Sequence, residues 1–245
     1  MFKHGNKNKG AHWECLFGGR VFPRTKVHAL RRYNRRMGRM GRMKKPLLVF
    51  DCDYTLWPFD CGKEVTPPFK NYGGSYRIVD RSYKPANPYP EVISVFEYIY
   101  DHKIPFAIAS RNPAADWIKQ LLQKIKVRDT TVWDMIPVGC FHAYSSGTTK
   151  AKSLHFTRIA EATSVKYKDM IFFDDKMENI IEAVRKDVIC VHINARLGLT
   201  MEGFRLGYDY WLEEEKKIEF SATGQISPLS PLNPQNELQT SNPAP

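Results

Sequence analysis

Four consecutive apolar residues, Leu47-Leu48-Val49-Phe50, stop abruptly at Asp51-Cys52-Asp53, and this junction limits the available folds more than any other stretch of the chain. A short apolar run without polar alternation suits a strand covered on both faces, and such strands belong to parallel sheets flanked by helices. Acids placed where the run ends lie at the strand's carboxyl end, where open α/β sheets bind their ligands. Tyr54-Thr55 signals that the chain is already turning, so the two carboxylates are expected to diverge and face different parts of one site.

The same pattern recurs downstream. Ile104 to Ala109 is an apolar run ending on Ser110-Arg111, Met170 to Phe173 ends on Asp174-Asp175, and Val188 to Ile193 is a further strand in which His192 reads as structural rather than catalytic. Helical spacing separates these runs: Pro90 opens one helix with Val92, Val95, Phe96 and Ile99, and Asn112-Pro113 opens another with Ala114, Trp117, Ile118, Leu121, Leu122 and Ile125. Looser periodicity follows Lys150 through Leu154, Ile159 and Thr163, and Ile180, Ile181 and Val184 mark a fourth helix. A last helical region, 199–219, is interrupted by Gly203 and Gly207. Val132-Trp133 and Phe141 to Tyr144 flank one more strand. Residues 58–88, dense in Pro and Gly with a β-type run at Tyr76 to Val79, predict loops and a hairpin. Strands alternating with helices define an α/β fold, a parallel sheet with helices on both faces.

Charge divides the chain unevenly. The 245 residues carry a net charge of +11, yet residues 1–45 hold fourteen Lys and Arg against Glu14 alone, leaving 23 basic against 25 acidic residues in the remainder. We expect a basic, disordered leader over 1–45, one folded body over 46–220, and a disordered tail rich in Pro, Ser and Asn over 221–245. The Arg run of the leader suits phosphate neutralisation on RNA, an organelle presequence or an anionic membrane surface; against these stands translation starting at Met43, directly before the first strand. Nucleic acid is not the expected partner. Five cysteines without any Cys-x-x-Cys argue for a reducing compartment, with neither a disulfide framework nor a zinc ribbon. With no apolar stretch long enough for a membrane span and no secretory signal, the expected location is cytoplasmic, or mitochondrial if the leader is a presequence. No feature sets an oligomeric state.

In a parallel sheet all carboxyl ends share one edge, so Asp51, Asp53, Ser110, Arg111, Asp174 and Asp175 can converge, joined by Lys150 or Lys152 from a helix start. Four carboxylates in one place repel each other unless a cation neutralises them, and hard oxygen ligands favour Mg²⁺ over Zn²⁺. A hydroxyl, a guanidinium and an ammonium on the opposite rim suit phosphate oxygens. Either lysine alone would read as a solvated surface charge. The set reads as metal-assisted phosphoryl transfer.

Asp51-Cys52-Asp53-Tyr54-Thr55-Leu56-Trp57-Pro58-Phe59, the Tyr89-Pro90-Glu91-Val92 helix start, Ala109-Ser110-Arg111, Lys152-Ser153-Leu154-His155-Phe156 and Phe172-Phe173-Asp174-Asp175 together resemble the magnesium-dependent phosphatase 1 family of the haloacid dehalogenase superfamily. The likeness runs from about Pro46 to about residue 200. It implies a Rossmann-like fold with a minimal hairpin or loop cap, and a phosphomonoesterase acting through an aspartyl-phosphate on phosphotyrosine-like or sugar phosphates. By position it implies Asp51 as nucleophile, Asp53 as acid/base, Mg²⁺ held by Asp51, the Asp53 carbonyl and Asp174-Asp175, and phosphate or substrate contacts from Cys52, Ser110, Arg111 and Lys152. Asp175 is favoured as direct ligand and Asp174 as its support, and Lys152 over Lys150. Two positions depart from the family pattern: Lys176 replaces an acid after the paired aspartates, and Asp60 replaces a bulky aromatic after Phe59. The competing function is an RNA-binding or interaction protein that uses the leader and carries an accessory phosphatase body.

Overall fold

The computed structural model describes residues 44–73, 77–144 and 151–223, together with Leu16–Phe17 and Arg20–Val21. The expectations for most of the basic leader, for Lys150 and for the tail beyond residue 223 lie outside these residues. The chain divides into two units, Met1–Arg42 and Met43–Pro245. In the first, Leu16 pairs with Val21 and Phe17 with Arg20 as a short antiparallel ladder. The second carries the sheet and the acids.

Five parallel strands form that sheet: β1 (Leu47–Phe50), β2 (Phe106–Ser110), β3 (Phe141–Ala143), β4 (Met170–Asp174) and β5 (Ile189–His192). Their spatial order is β5-β4-β1-β2-β3, so the chain builds outward from β1 in one direction and then crosses to its other side. Phe50 stands level with Phe173 of β4 and with Ile108 of β2. Because the connections diverge at β1, a crevice opens beyond its carboxyl end, between β1 and β4. Asp51 sits in that crevice, its N–H bonded to the Phe173 carbonyl at 3.0 Å.

Alternation along the strands makes two separate cores. Leu48, Phe50, Phe106, Ile108, Ile171 and Phe173 face one way, beneath α1 (Val92–Asp101), α2 (Ala115–Lys124) and α5 (Met201–Thr223). Phe50 is the hub there, stacked on Phe173 with ring centroids 5.0 Å apart and tilted against Phe96 at 5.4 Å. Leu47, Val49, Ala107, Ala109, Met170 and Phe172 face the other way, under α3 (Ala151–Thr163) and α4 (Met177–Val184).

Several sequence expectations change at this level. Of the stripe read through Leu154, Ile159 and Thr163 only Ile159 is buried: α3 turns Lys152, His155, Phe156 and Ile159 inward, while Leu154 is exposed. In α4 the buried residues are Asn179, Ile180 and Ala183, and Ile181 and Val184 face solvent. Polar side chains occupy the inward faces of both helices, so an apolar pattern alone cannot mark them. Among the described residues no strand lies between Val132-Trp133 and Phe141: Val132-Trp133 begins a four-residue helix, Val132–Met135, started by Thr131 Oγ1 accepting from the Asp134 N–H, and Phe141–Ala143 is itself the strand β3. Gly203 and Gly207 do not interrupt α5, which is continuous and passes residue 220.

Gly207 is where α5 comes closest to the sheet. A Cβ added there would lie 2.8 Å from methyl carbons of both Ile171 and Val191. Glycine normally weakens a helix interior by about 1 kcal/mol relative to alanine, but here the missing side chain is what lets the helix lie flat. Gly207→Val should therefore destabilise the protein by about 1–3 kcal/mol, read as a lower urea midpoint at unchanged slope. An unchanged or raised midpoint would contradict this packing.

Candidate active site

Lys152 is the structural centre of the site. Its helix α3 lies over the small residues Ala107 and Ala109 of β2, and its side chain, fully buried, passes over the Phe172 ring at 5.1 Å. Its Nζ meets Asp51 Oδ1 at 2.5 Å, Asp174 Oδ2 at 2.9 Å and the carbonyl of Ala109. These are the three acceptors an ammonium can satisfy, and they come from the ends of three strands. Burial opposes the charge on Lys152, but Asp174 and Asp51 outweigh it and raise its affinity for the proton. The ammonium is retained.

The acids are not equivalent. Burial, and after it Asp174 and Asp53, push the Asp51 carboxyl up, with the Lys152 ammonium opposing them. Burial and Asp174 push Asp175 up to about 6, with Lys176 opposing. Asp174 is saturated: it accepts from Asn179 Nδ2 at 2.9 Å through both oxygens, from the Lys176 N–H at 2.8 Å, and from Lys152. Asp175 Oδ1, by contrast, is buried with no hydrogen-bond partner. Asp51, Asp174 and Asp175 offer carboxylate oxygens that all lie within 4.8 Å of one another. A buried oxygen without a donor, in a set of hard oxygens carrying more negative charge than Lys152 neutralises, fits a divalent cation on Asp51 and Asp175.

Asp53 belongs to a different environment. The chain reverses at Tyr54, whose φ of 58° is left-handed, and Thr55 and Leu56 both donate to the Cys52 carbonyl. Asp53 consequently points away from Lys152 and accepts three neutral hydrogen bonds. Oδ1 takes Trp57 Nε1 at 2.8 Å and the Cys61 N–H at 3.1 Å, and Oδ2 takes Asn112 Nδ2 at 2.6 Å. Burial raises its pKa, and these bonds pull it back.

The remaining residues singled out by sequence fall at the same edge. Ser110 is buried at the end of β2, its Oγ accepting from the Asn112 N–H at 3.2 Å. Arg111 is half-buried and donates to Asn179 Oδ1 at 3.0 Å. Cys52 lies wholly in the core beside the acids, and burial followed by Asp51 and Asp53 pushes its thiol far up, so it stays protonated and is no thiolate nucleophile. His192, read as structural rather than catalytic, is exposed and has the Asp175 carbonyl 2.9 Å from its Nε2. Asn112 and Asn179 are the residues that sequence reasoning missed. Each amide links two functional side chains, and neither carried a charge or a motif position to announce it.

Between Asp53 and α1 the described residues form a loop at 58–64, which reaches Asp53 through the Cys61 N–H, and the antiparallel pair Lys70–Asn71 with Ile78–Val79. Among the described residues no helix covers the site between Asp51 and α1. Asp60 organises the loop, accepting from the Gly62 N–H at 3.0 Å, Lys63 Nζ at 2.9 Å and Asn112 Nδ2 at 2.9 Å.

A parallel sheet whose central strand delivers a lysine-paired aspartate, with a second acid two residues on, is the fold and site of a phosphoryl-transfer hydrolase. The chain belongs to the acid phosphatase family, whose pattern matches residues 44–214, within the haloacid dehalogenase superfamily. It is a phosphoric monoester hydrolase. Magnesium-dependent phosphatase 1 of Homo sapiens is 35% identical over 161 residues, spanning 65% of this chain and 84% of that protein. A HAD-like hydrolase superfamily protein of Schizosaccharomyces pombe is 30% identical over 133 residues, spanning 54% and 76%. The N-terminal part of a Bacteroides fragilis protein, described as containing a phosphatase domain complexed with Mg, is 16% identical at a TM-score of 0.43; the match covers 76% of this chain and 44% of that one.

The raised pKa of Asp175 has a consequence for stability. A carboxyl whose folded pKa lies above its unfolded value stabilises the fold below about pH 4, and that contribution is lost as pH rises through about 6. His155, which burial and then Lys152 push down to about 3, acts oppositely, its contribution being lost as pH falls below 6.5. Comparing variants isolates the acid. In chelator-treated protein, Asp175→Asn should gain melting temperature over the unsubstituted chain as pH rises from 4 to 6 and hold that gain above. A difference independent of pH would contradict the placement of Asp175.

Proposed function

We propose that this phosphatase is Mg²⁺-dependent and works through an aspartyl-phosphate on Asp51, acting on phosphotyrosyl-like or sugar phosphates. The observation that carries the reading is the separation of the two neighbouring acids: Asp51 is held by an ammonium and Asp53 by neutral donors, which suits one as nucleophile and the other as acid/base.

Asp51 attacks phosphorus, and the bond from phosphorus to the leaving oxygen breaks as Asp53 gives that oxygen its proton. Water then attacks the phosphoryl-aspartate, Asp53 takes its proton, and Asp51 is released. Lys152, its three hydrogens taken by Asp51, Asp174 and the Ala109 carbonyl, keeps the Asp51 carboxylate aimed, while Ser110 and the Cys52 N–H hold phosphoryl oxygens and Arg111, steadied by Asn179, orients the substrate. Asp51, the Asp53 carbonyl and Asp175 would hold Mg²⁺, with Asp174 supporting from behind, and the bound ion would offset the charge of the acids and the transferring group. The loop-like cover supports a substrate as bulky as a phosphotyrosyl side chain as well as a sugar phosphate. Four free cysteines among the described residues, and no helix there long and apolar enough to cross a membrane, are consistent with a cytoplasmic location.

Asp51→Asn should lower turnover of para-nitrophenyl phosphate by at least ~10³-fold without unfolding the protein. Chelation by EDTA should abolish activity and Mg²⁺ should restore it, with Asp175→Asn shifting the Mg²⁺ midpoint upward. Retained turnover by Asp51→Asn, or activity indifferent to EDTA, would overturn the proposal.

A further inference from the structure

The side chain of Asn112 makes three hydrogen bonds at the site, with both of its N–H groups in use. One Nδ2 hydrogen goes to Asp53 Oδ2 at 2.6 Å and the other to Asp60 Oδ1 at 2.9 Å, while Oδ1 accepts from the Ala114 N–H at 2.9 Å. Two carboxylates on the nitrogen and an amide N–H on the oxygen permit a single orientation of the amide. The backbone of Asn112 is tied as well, since its own N–H is bonded to Ser110 Oγ at 3.2 Å. Gly62 leaves no slack on the far side: a Cβ there would lie 2.9 Å from Asn112 Oδ1.

The other two donors to Asp53, Trp57 and Cys61, belong to the loop that Asp53 itself begins. Asn112 is the donor that comes from a neighbouring strand, in the turn after β2 and two residues past Ser110. One residue thereby sets the offset between the hydroxyl assigned to the phosphoryl group and the carboxylate assigned to the leaving oxygen. Through Asp60 it also fastens the 58–64 loop, the part of the cover nearest Asp53.

We propose that Asn112 is a positioning residue for leaving-group protonation: it aims Asp53 at the leaving oxygen of a phosphate held by Ser110, and Asp60 keeps its second N–H occupied so that the amide cannot turn away. The inference rests on the role given to Asp53 above. Its signature is dependence on the leaving group, because an acidic phenol departs without a proton and a weakly acidic one does not.

The test is kcat/KM across a series of substituted aryl phosphates, from para-nitrophenyl to para-methoxyphenyl, on the Mg²⁺-loaded full chain and three variants. Asp53→Asn sets the reference and should lose far more on the poorest leaving group than on para-nitrophenyl phosphate. Asn112→Ala should show the same steepening, losing ~10–100-fold on the poorest leaving group and less than ~3-fold on the nitrophenyl ester. In the Asp53→Asn background the same replacement should cost nothing further, since the two act as one unit. A loss uniform across the series, or additive to that of Asp53→Asn, overturns the role of Asn112 and leaves that of Asp53 standing. If Asp53→Asn itself shows no leaving-group dependence, both readings fall. Asn112→Leu, of similar shape but uncharged and without the donor, carries the same comparison if the alanine variant does not fold.

Discussion

One buried ammonium holds this structure's working edge together. Lys152 joins the ends of β1, β2 and β4 from a helix that reaches them over alanines, and each of its hydrogens has an acceptor. A pair of buried carboxylates without that charge would have to bind protons or separate, because their mutual repulsion grows as water is removed. With it, they stay close, and the unfilled acceptor of Asp175 remains the place where more positive charge is needed. The geometry of the crevice, the different fates of Asp51 and Asp53, and the affinity for a hard cation all follow from this arrangement.

Around that centre the site is fixed by amides rather than by further ions. Asn179 joins Asp174 to Arg111, and Asn112 joins Asp53 to Asp60, so the acid side of the crevice is bonded to the substrate side at two points. Neutral donors are suited to these positions because they fix direction without shifting the charge balance that the acids and Lys152 set. The two departures from the family pattern also find a physical place. Lys176 lies exposed at the start of α4, its N–H on Asp174 and its charge opposing the raised pKa of Asp175. Asp60 caps the 58–64 loop and binds Asn112, so a carboxylate rather than an apolar contact ties that loop to the turn after β2.

Much of this was legible in the sequence because apolar runs that stop at acids have few structural explanations. The runs at Leu47–Phe50 and Met170–Phe173 and the polar ends they deliver appear in the fold as expected, and the main alternation of strands and helices followed from spacing, except between residues 126 and 140, where a short hairpin and the Val132–Met135 helix were not legible. What was hidden shares one cause. Residues 151–163 bury Lys152 and His155 and expose Leu154, and α4 buries Asn179 while exposing Ile181 and Val184. A pattern reader assigns the inward face to the apolar residues, and here partners from distant strands make polar residues the inward ones. Gly207 misleads for a related reason: its value lies in the close approach of β4 and β5, which local propensity cannot express. Asn112 and Asn179 are silent because an amide gains meaning only from what it touches.

The central claim is that the oxygen held beside Lys152 becomes covalently bonded to phosphorus. Acid-quenching the Mg²⁺-loaded protein during turnover, reducing any acyl phosphate with borohydride and mapping the product by peptide mass spectrometry measures this directly. The account predicts reduction at Asp51 alone, increased in Asp53→Asn, where the intermediate forms from an activated aryl phosphate but loses its base for hydrolysis. Efficient turnover with no modified Asp51 at any quench time, or modification at another residue, would contradict it.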